Sequence, residues 1–499
     1  MKSRVLSTGI LGGITGVAAI FLMMLGSVPK SSAIPAFSRK YQTSCTTCHN
    51  NYPELNDFGE AFKKNGFKFP KDDETFVKEP PVLLGSKAQK EAFPGAVYPG
   101  EIPGFLPVAF RYEGNFTLNR KQPPGVIAQN GFVPRTDLFA PNTFTVLAVG
   151  SFGQNFSFWI DDDISVDAAN SNGGMGDGWL KYSDLGHGIG LPKNALNVRF
   201  GQFELDLPFT QAKSIYLSPY DIYSEAAVGI GGPCPTAPPL AACETANNST
   251  IFGSPQRGIE FGGTPNNGNF NWSVALTNGS NTGDAVRSSK DVYVRLSQKF
   301  NLERDRESRN AIQAAGPTGP RDHTSIRLGF YYYYGKNQQN QDGQLFPGIS
   351  TTVEEPFYRV GGDLRFKYRH LELFGLGMYG HDDNHLFTPG PPTTITAAPA
   401  VKFSGGFAGA NYWFYPWLIG TFHYDAVNSH ADFVNNTPLP LNYHTRNRFS
   451  PGFQVLARAN IKVVGEYQRT FATPYTDPVT GNTLFFRPNT FQAGIDYVF

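Results

Sequence analysis

From residue 106 to its carboxyl end the chain alternates apolar and polar residues with a period of two. Val108, Phe110, Tyr112, Phe116 and Leu118 interleave with Arg111, Glu113, Asn115, Thr117 and Asn119. Tyr358, Val360, Leu364 and Phe366 interleave with Arg359, Asp363, Arg365 and Lys367, and Ile326, Leu328, Phe330, Tyr332 and Tyr334 mark a further apolar face. Successive side chains of a strand point to opposite faces, so the rhythm predicts half-buried strands. It places them at 106–118, 142–152, 156–164, 177–184, 195–205, 256–263, 269–277, 289–300, 322–334, 356–367, 370–381, 401–413, 417–427, 447–458, 460–470 and 488–499, which makes sixteen.

Alternation alone also suits a soluble β-sandwich, and the connections separate the two. Tight turns such as Gly153-Gln154-Asn155, Tyr415-Pro416 and Ala459-Asn460 fall at every second connection. Long polar or Pro-rich loops (119–141, 206–255, 335–355, 382–400, 428–446, 471–487) fill most of the others, with Ser214 to Tyr223 read as part of a loop. The long connection 301–321 breaks the rule. An even strand count with short turns on one side and long loops on the other predicts a sixteen-stranded antiparallel outer-membrane β-barrel over 106–499, surrounded by outer-membrane lipid. The final strand carries Phe491, Ala493, Ile495, Tyr497 and Phe499 on one face and ends on an aromatic residue, as such barrels commonly do. Abundant Phe (42), Tyr (23) and Gly (54) agree with this class.

The amino end differs. Lys2 and Arg4 precede an apolar run from Ile10 to Leu25 and then Ser31-Ser32-Ala33, which predicts a secretory signal peptide over 1–33. The run is broken by Gly12, Gly13 and Gly16 and is too short for a membrane span. Without Lys2, Arg4 and Lys30 the basic residues fall to 39 against 41 acidic, so no strongly basic surface argues for nucleic acid. Residues 76–105, rich in Pro and charge, read as a linker.

Between signal and linker lies Cys45-Thr46-Thr47-Cys48-His49. Two thiols three residues apart can meet the two vinyl groups of a haem while the adjacent imidazole ligates its iron, so the run predicts one covalent haem c. A zinc site would want a second ligand pair nearby, and a thioredoxin-like motif a βαβ pattern, neither of which is present. The other two cysteines, Cys234 and Cys243, predict a disulfide closing a small loop, with a free-thiol pair as the alternative. Leu55, Phe58 and Phe62 at helical spacing, with Pro53 in a first turn and Asn65-Gly66 as a stop, predict a short helix laying its apolar face on the haem. A segment of about forty residues has too little core to fold without a cofactor or partner. The fold class is therefore all-β, with a small α-helical monohaem cytochrome c segment over 34–75 ahead of the barrel.

The sixth iron ligand is not visible near the motif, since the next His is His187 and the next Met is Met175. Water, Lys, Asn or the mature amino terminus could fill it, or a residue of the barrel. His423 is a candidate because Thr421, His423 and Asp425 alternate with Phe422 and Tyr424 and should face the lumen; Met378 lies on a strand of unassigned face. Lumenal Arg111, Arg295, Arg327, Arg359, Arg365 and Lys367 could pair with haem propionates or simply line a hydrated pore. Asp161-Asp162-Asp163 and His381-Asp382-Asp383-Asn384-His385, placed at the outer rim, offer oxygen and imidazole ligands for transient ferrous iron, or are ordinary solvated charge.

Ile34-Pro35-Ala36-Phe37-Ser38-Arg39, the CTTCH run, and Tyr52-Pro53-Glu54-Leu55-Asn56-Asp57-Phe58-Gly59-Glu60-Ala61-Phe62-Lys63 resemble the amino-terminal block of the fused monohaem cytochrome-porins. The similarity is specific over 34–69 and architectural beyond. It implies a haem plug within or beneath a sixteen-stranded porin, oxidation of an extracellular donor such as Fe(II), and electron delivery to a periplasmic c-type cytochrome. An outward conduit to an extracellular acceptor, or a solute porin with a structural or sensory haem plug, are the alternative readings.

Overall fold

In the computed structural model the described residues are 36–69, 73–78, 80–95, 101–121, 134–153, 155–164, 174–210, 216–226, 252–265, 268–281, 283–285, 288–302, 324–340, 352–388, 394–429, 433–434, 437–438, 445–471, 475–476, 483–484 and 488–499. The predicted signal peptide and the Cys234/Cys243 pair lie outside them.

Sixteen strands close into one barrel: β1 Val108–Asn119, β2 Thr136–Phe152, β3 Phe156–Ile164, β4 Gly174–Tyr182, β5 Asn197–Phe203, β6 Gln256–Gly263, β7 Phe270–Thr277, β8 Asp291–Asn301, β9 Ser325–Asn340, β10 Thr352–Tyr368, β11 Leu371–Thr388, β12 Thr394–Tyr415, β13 Leu418–Ser429, β14 Thr445–Arg458, β15 Ile461–Thr470 and β16 Thr490–Val498. Each predicted strand has its counterpart. Every neighbour pair runs antiparallel in chain order, and the ring closes where Thr490 to Val498 pair with Asn119 to Arg111. Closure leaves no unpaired sheet edge, which a wall surrounded by lipid requires. Among the described residues no helix is long and apolar enough to cross a membrane.

The pleat sorts the side chains as the alternation predicts. On β8, Asp291, Tyr293, Arg295 and Ser297 are buried within, while Leu296 is 43% exposed on the outside. Leu328, Phe330, Leu364, Phe200 and Phe453 are likewise exposed outward, an arrangement unfavourable in water and favourable in hydrocarbon.

Among the described residues two pieces of chain occupy the lumen. The first is the amino-terminal segment, with helices α1 (Ala36–Tyr41) and α2 (Asp57–Lys64) and a two-stranded pair, His49–Asn51 with Glu54–Leu55. Helix α2 begins four residues beyond Pro53, because Asn56 rather than Pro53 starts it: the Asn56 side chain accepts from Gly59 N at 2.8 Å. It stops at Asn65-Gly66, where Gly66 has φ +73°, as the sequence predicts. The second comprises 206–210 and 216–226, predicted as loop, which follows β5 and includes a short helix, Asp221–Glu225, against β12 and β13.

The expected linker is not uniformly extended. It contains a helix, Lys87–Ala92, and a short pairing of Val82–Leu83 with Glu101–Ile102. Its sequence favours this locally, since Ser86 caps the helix by accepting from Gln89 N.

Candidate functional site

The Cys45–His49 turn sits inside the barrel and lines a cavity of about 750 Å³. Cys45 to Thr47 form one 3-10 turn capped by Ser44, and Asn56 N donates to Cys48 O at 2.9 Å, stitching α2 onto it. The two thiols are not joined to each other. Burial pushes Cys48 up to about 12 and Cys45 in the same direction, so both stay neutral thiols. His49 Nδ1 lies 3.2 Å from Pro53 O, which leaves Nε2 uncommitted to that contact. Burial lowers the imidazole to about 4, keeping it neutral, the form that ligates a metal.

These residues fit a covalently attached porphyrin. Two reduced thiols stand at the required spacing, and an imidazole is oriented through its other nitrogen by a carbonyl, the usual support for a metal-bound histidine. The adjoining volume falls in the range of cofactor pockets. The packing is close: a Cβ on Gly59 would lie 2.0 Å from Cys48 O.

The wall holds the segment through many polar ties. Lys299 Nζ reaches Asp57 at 2.6 Å, with Arg327 at 3.7 Å and Lys367 at 3.9 Å from the same carboxylate. Burial works against charge on Asp57, but these three cations outweigh it and hold the carboxyl well below its usual range. Arg365 lies 3.6 Å from Glu54, Lys462 donates to Tyr52 O at 2.6 Å, and Asn51 bonds Gln454, while Lys64 bonds Asp206 of the inward segment at 3.2 Å. Lys181 donates to Lys64 O at 2.7 Å. An aromatic cluster of Phe37, Tyr41, Phe62 and Phe67 backs α2, and Phe67 stacks at 6.0 Å on Trp179 of β4.

Of the lumenal cations considered as propionate partners, only Arg111 lines the cavity, and it is bonded to Asp496 and Glu113. The others have carboxylate partners instead: Arg295 with Asp363, Arg359 with Asp382, and Arg327, Arg365 and Lys367 with the inner segment. The reason is charge balance in a filled lumen, where an unpaired cation is costly.

His423 does face the lumen, but the structure does not bring it to the cavity. Its Nδ1 lies 2.7 Å from Asp425 Oδ2 and its Nε2 3.1 Å from Ser218 Oγ, so both ring nitrogens are engaged and the ring is fully buried. Serine, histidine and aspartate here resemble a nucleophile arrangement only in outline. Ser218 also bonds Glu466, and His423, Asp425 and Ser218 all lie in a sealed interior. Met378 packs buried among Phe374 and Leu376.

Asp161 and Asp163 line the cavity, while Asp162 is exposed on the opposite face. His381 bonds Asp383 at 2.9 Å, and Asp382 pairs with Arg359; the His385 side chain lies outside the described set. Among the described residues no group of three or more His, Cys, Asp or Glu is placed to hold a metal ion. Sequence reasoning missed the cavity residues Trp159, Trp179, Lys181, Lys462 and Tyr216. The signal was present: Trp159 shares its face with Ser157, Asp161 and Asp163, an indole where a pore wall should be polar.

No family model and no curated protein matches this chain. Solved structures do. DcaP, an outer-membrane channel of Acinetobacter baumannii, is 16% identical with a TM-score of 0.42, covering 79% of this chain and 96% of that one. The anion-selective porin from Comamonas acidovorans is 12% identical with a TM-score of 0.47, over 79% and 98%. OmpF of Salmonella typhi, solved with daunomycin, is 10% identical with a TM-score of 0.45, over 79% and 98%.

Proposed function

We propose that this chain is an electron-transfer protein of the bacterial outer membrane, with one haem c joined through Cys45 and Cys48 and His49 as proximal ligand to the iron. The observation that carries this reading is two unpaired thiols and a half-committed imidazole placed together on a lumenal cavity. When bound, the group supplies a one-electron couple. The chain's residues do the rest: Pro53 O orients His49, α2 closes over the turn, and the wall cations fix the segment within the barrel.

The physical reason for this placement is insulation. The apolar band of an outer-membrane barrel is roughly 25 Å tall and blocks electrons and ions alike. A redox group inside the lumen stands within that layer. The donor is extracellular, foremost Fe(II), which gives up one electron and leaves as Fe(III); the receiver is a periplasmic c-type cytochrome, making the activity an iron:cytochrome c oxidoreduction.

The test is the intact mass and visible spectrum of protein exported through a competent maturation pathway, followed by mixing with Fe(II). One covalent haem whose reduced bands appear on mixing is expected; a colourless chain at its bare mass refutes the reading. A solute channel with a structural plug is the second reading, favoured by the sixteen-stranded architecture itself. Porin-like conductance in planar bilayers, with a haem that Fe(II) does not reduce, would select it. An outward conduit differs only in direction and would show reduction from the periplasmic carrier and oxidation by an external acceptor.

A further inference from the structure

The lumen is not uniform around its circumference. On the β8–β14 side, inward Tyr293, Tyr331, Phe357 and Phe407 pack against Phe209, Tyr220 and Ile222 of the inward segment, a hydrophobic core where a pore would hold water. This segment is latched to the wall by buried and partly buried polar bonds. Tyr216 Oη donates to Asn411 Oδ1 at 2.5 Å, Leu217 N to Glu466 at 3.2 Å and Arg359 Nε to Ala226 O at 3.1 Å, while Arg448 lies 3.4 Å from Asp221.

On the remaining side, from β15 through β1 to β7, the cavity continues. Its lining runs from Val498 and Asn460, at the short-turn end, to Asp163 and Gly176, within two residues of the long-loop ends of β3 and β4. The Cys45–His49 turn lies along this same space. Its charge leans acidic, with nine carboxylates lining it against six Lys and Arg side chains, Lys63 and Lys181 among them. Asp206, Glu260 and Asp496 have cationic partners at 3.2, 2.7 and 3.0 Å. Asp161 and Asp177 instead accept from indole N–H groups, Trp159 at 2.7 Å and Trp179 at 3.3 Å, and Asp163 bonds the Thr145 hydroxyl. Among the described residues these three carboxylates have no Lys, Arg or His within ion-pair distance.

We infer that the lumen is divided lengthwise, and that a reactant from outside reaches the Cys45–His49 turn only along the cavity lined from β15 through β1 to β7, whose excess of carboxylates selects it for positive charge. Low-dielectric walls with an excess of one sign focus the field and raise the local concentration of the opposite ion. A free or weakly complexed cation passes, and an anionic chelate is held back. The inference rests on reading the Cys45–His49 cavity as the reacting end.

Thiol accessibility tests it. Thr143, on the cavity wall, and Ser450, fully buried on the opposite side, are each replaced by cysteine (Thr143→Cys, Ser450→Cys) in the full-length protein in intact cells. Membrane-impermeant thiosulfonates bearing a trimethylammonium or a sulfonate group are added outside, and the labelled site is read by peptide mass mapping. Rates are normalised to free cysteine. Thr143→Cys should label at least about tenfold faster with the cationic reagent, a ratio that falls toward one when Asp161→Asn and Asp177→Asn are added. Ser450→Cys should stay unlabelled until the protein unfolds. Equal or reversed charge preference at Thr143→Cys, or labelling of Ser450→Cys in the folded protein, overturns the inference. Should Ser450→Cys fail to fold, hydrogen exchange of residues 216–226 in the unsubstituted protein decides the same point, and rapid exchange there overturns it. Haem attachment enters none of these readouts, so its failure would leave them standing.

Discussion

Replacing Gly59 with alanine sets two opposite effects of one methyl group against each other. In an exposed helix the change would stabilise by up to about 1 kcal/mol, through backbone entropy. Here the added Cβ would lie 2.0 Å from Cys48 O, 2.9 Å from the Cys48 carbonyl carbon and 2.9 Å from Leu55 Cδ2. The oxygen belongs to the backbone and cannot swing away, so α2 must retreat by about 1.4 Å to restore ordinary contact. That retreat costs about 1–3 kcal/mol as overpacking. It also strains the bonds from Asn56 to Cys48 O and Thr47 O, at 2.9 and 3.0 Å, worth about 1 kcal/mol each. The sum exceeds the propensity gain and leaves a net loss of about 2–4 kcal/mol. Hydrogen exchange of residues 45–65 reads local opening directly, and this loss corresponds to exchange roughly 30- to 1,000-fold faster than in the unsubstituted protein. Intact mass of the same sample gives the fraction carrying the proposed haem, which should fall with the loosened turn. Exchange as slow as in the parent would refute the claim that α2 is pressed against the cysteine turn.

Four further outcomes follow from the same contacts. Asp57→Asn leaves Lys299, Arg327 and Lys367 without their shared carboxylate; because Asp57 is 36% exposed the loss is modest, about 1–2 kcal/mol, and limited proteolysis of the amino-terminal segment should speed up accordingly. Burial, together with the nearby Glu372, raises Glu54 to about 7, so the folded state binds more protons than the unfolded between about 4.5 and 7. Docking of the segment should therefore weaken as pH rises through that window, measured by the same proteolysis, and Glu54→Gln should flatten the dependence. His423→Ala should leave the haem absorption spectrum unchanged yet destabilise the barrel by about 3–5 kcal/mol, since Asp425 and Glu466 lose a buried partner; thermal unfolding by circular dichroism and the spectrum together check this. If a haem is attached as proposed, His49→Ala should retain the covalent mass while shifting the spectrum, because in that proposal the thiols and not the imidazole make the attachment.

The barrel was legible because lipid outside and polar residues inside force the period-two pattern onto every strand. Where one of those conditions lapses, the reading falls short. β9 continues to Asn340 through Lys336-Asn337-Gln338, a stretch with no apolar member to mark the alternation, and so it was predicted to end at 334. The inward segment was hidden for a different reason. Its Pro and polar residues read as loop, and its partners Tyr293, Tyr331 and Tyr333 are single aromatics on an inner face otherwise marked polar by Asp291, Arg295, Ser297 and Arg327. The cysteine turn was legible from spacing alone, whereas the residues around it were not. Lys181, Lys462 and Trp179 come from strands remote in sequence, and only ring closure brings them together.

The ties between the amino-terminal segment and the wall have a mechanical meaning. Arg39 donates to Val108 O, Lys40 to Ser151, and Lys181, Lys299, Arg365, Gln454 and Lys462 reach inward from strands spread around the ring. A hoop of sixteen strands held only by its own seams can ovalise under lateral pressure, but spokes to a central hub fix its cross-section. The piece that carries the cysteines thus also braces the tube, so loosening the hub should soften the whole hoop.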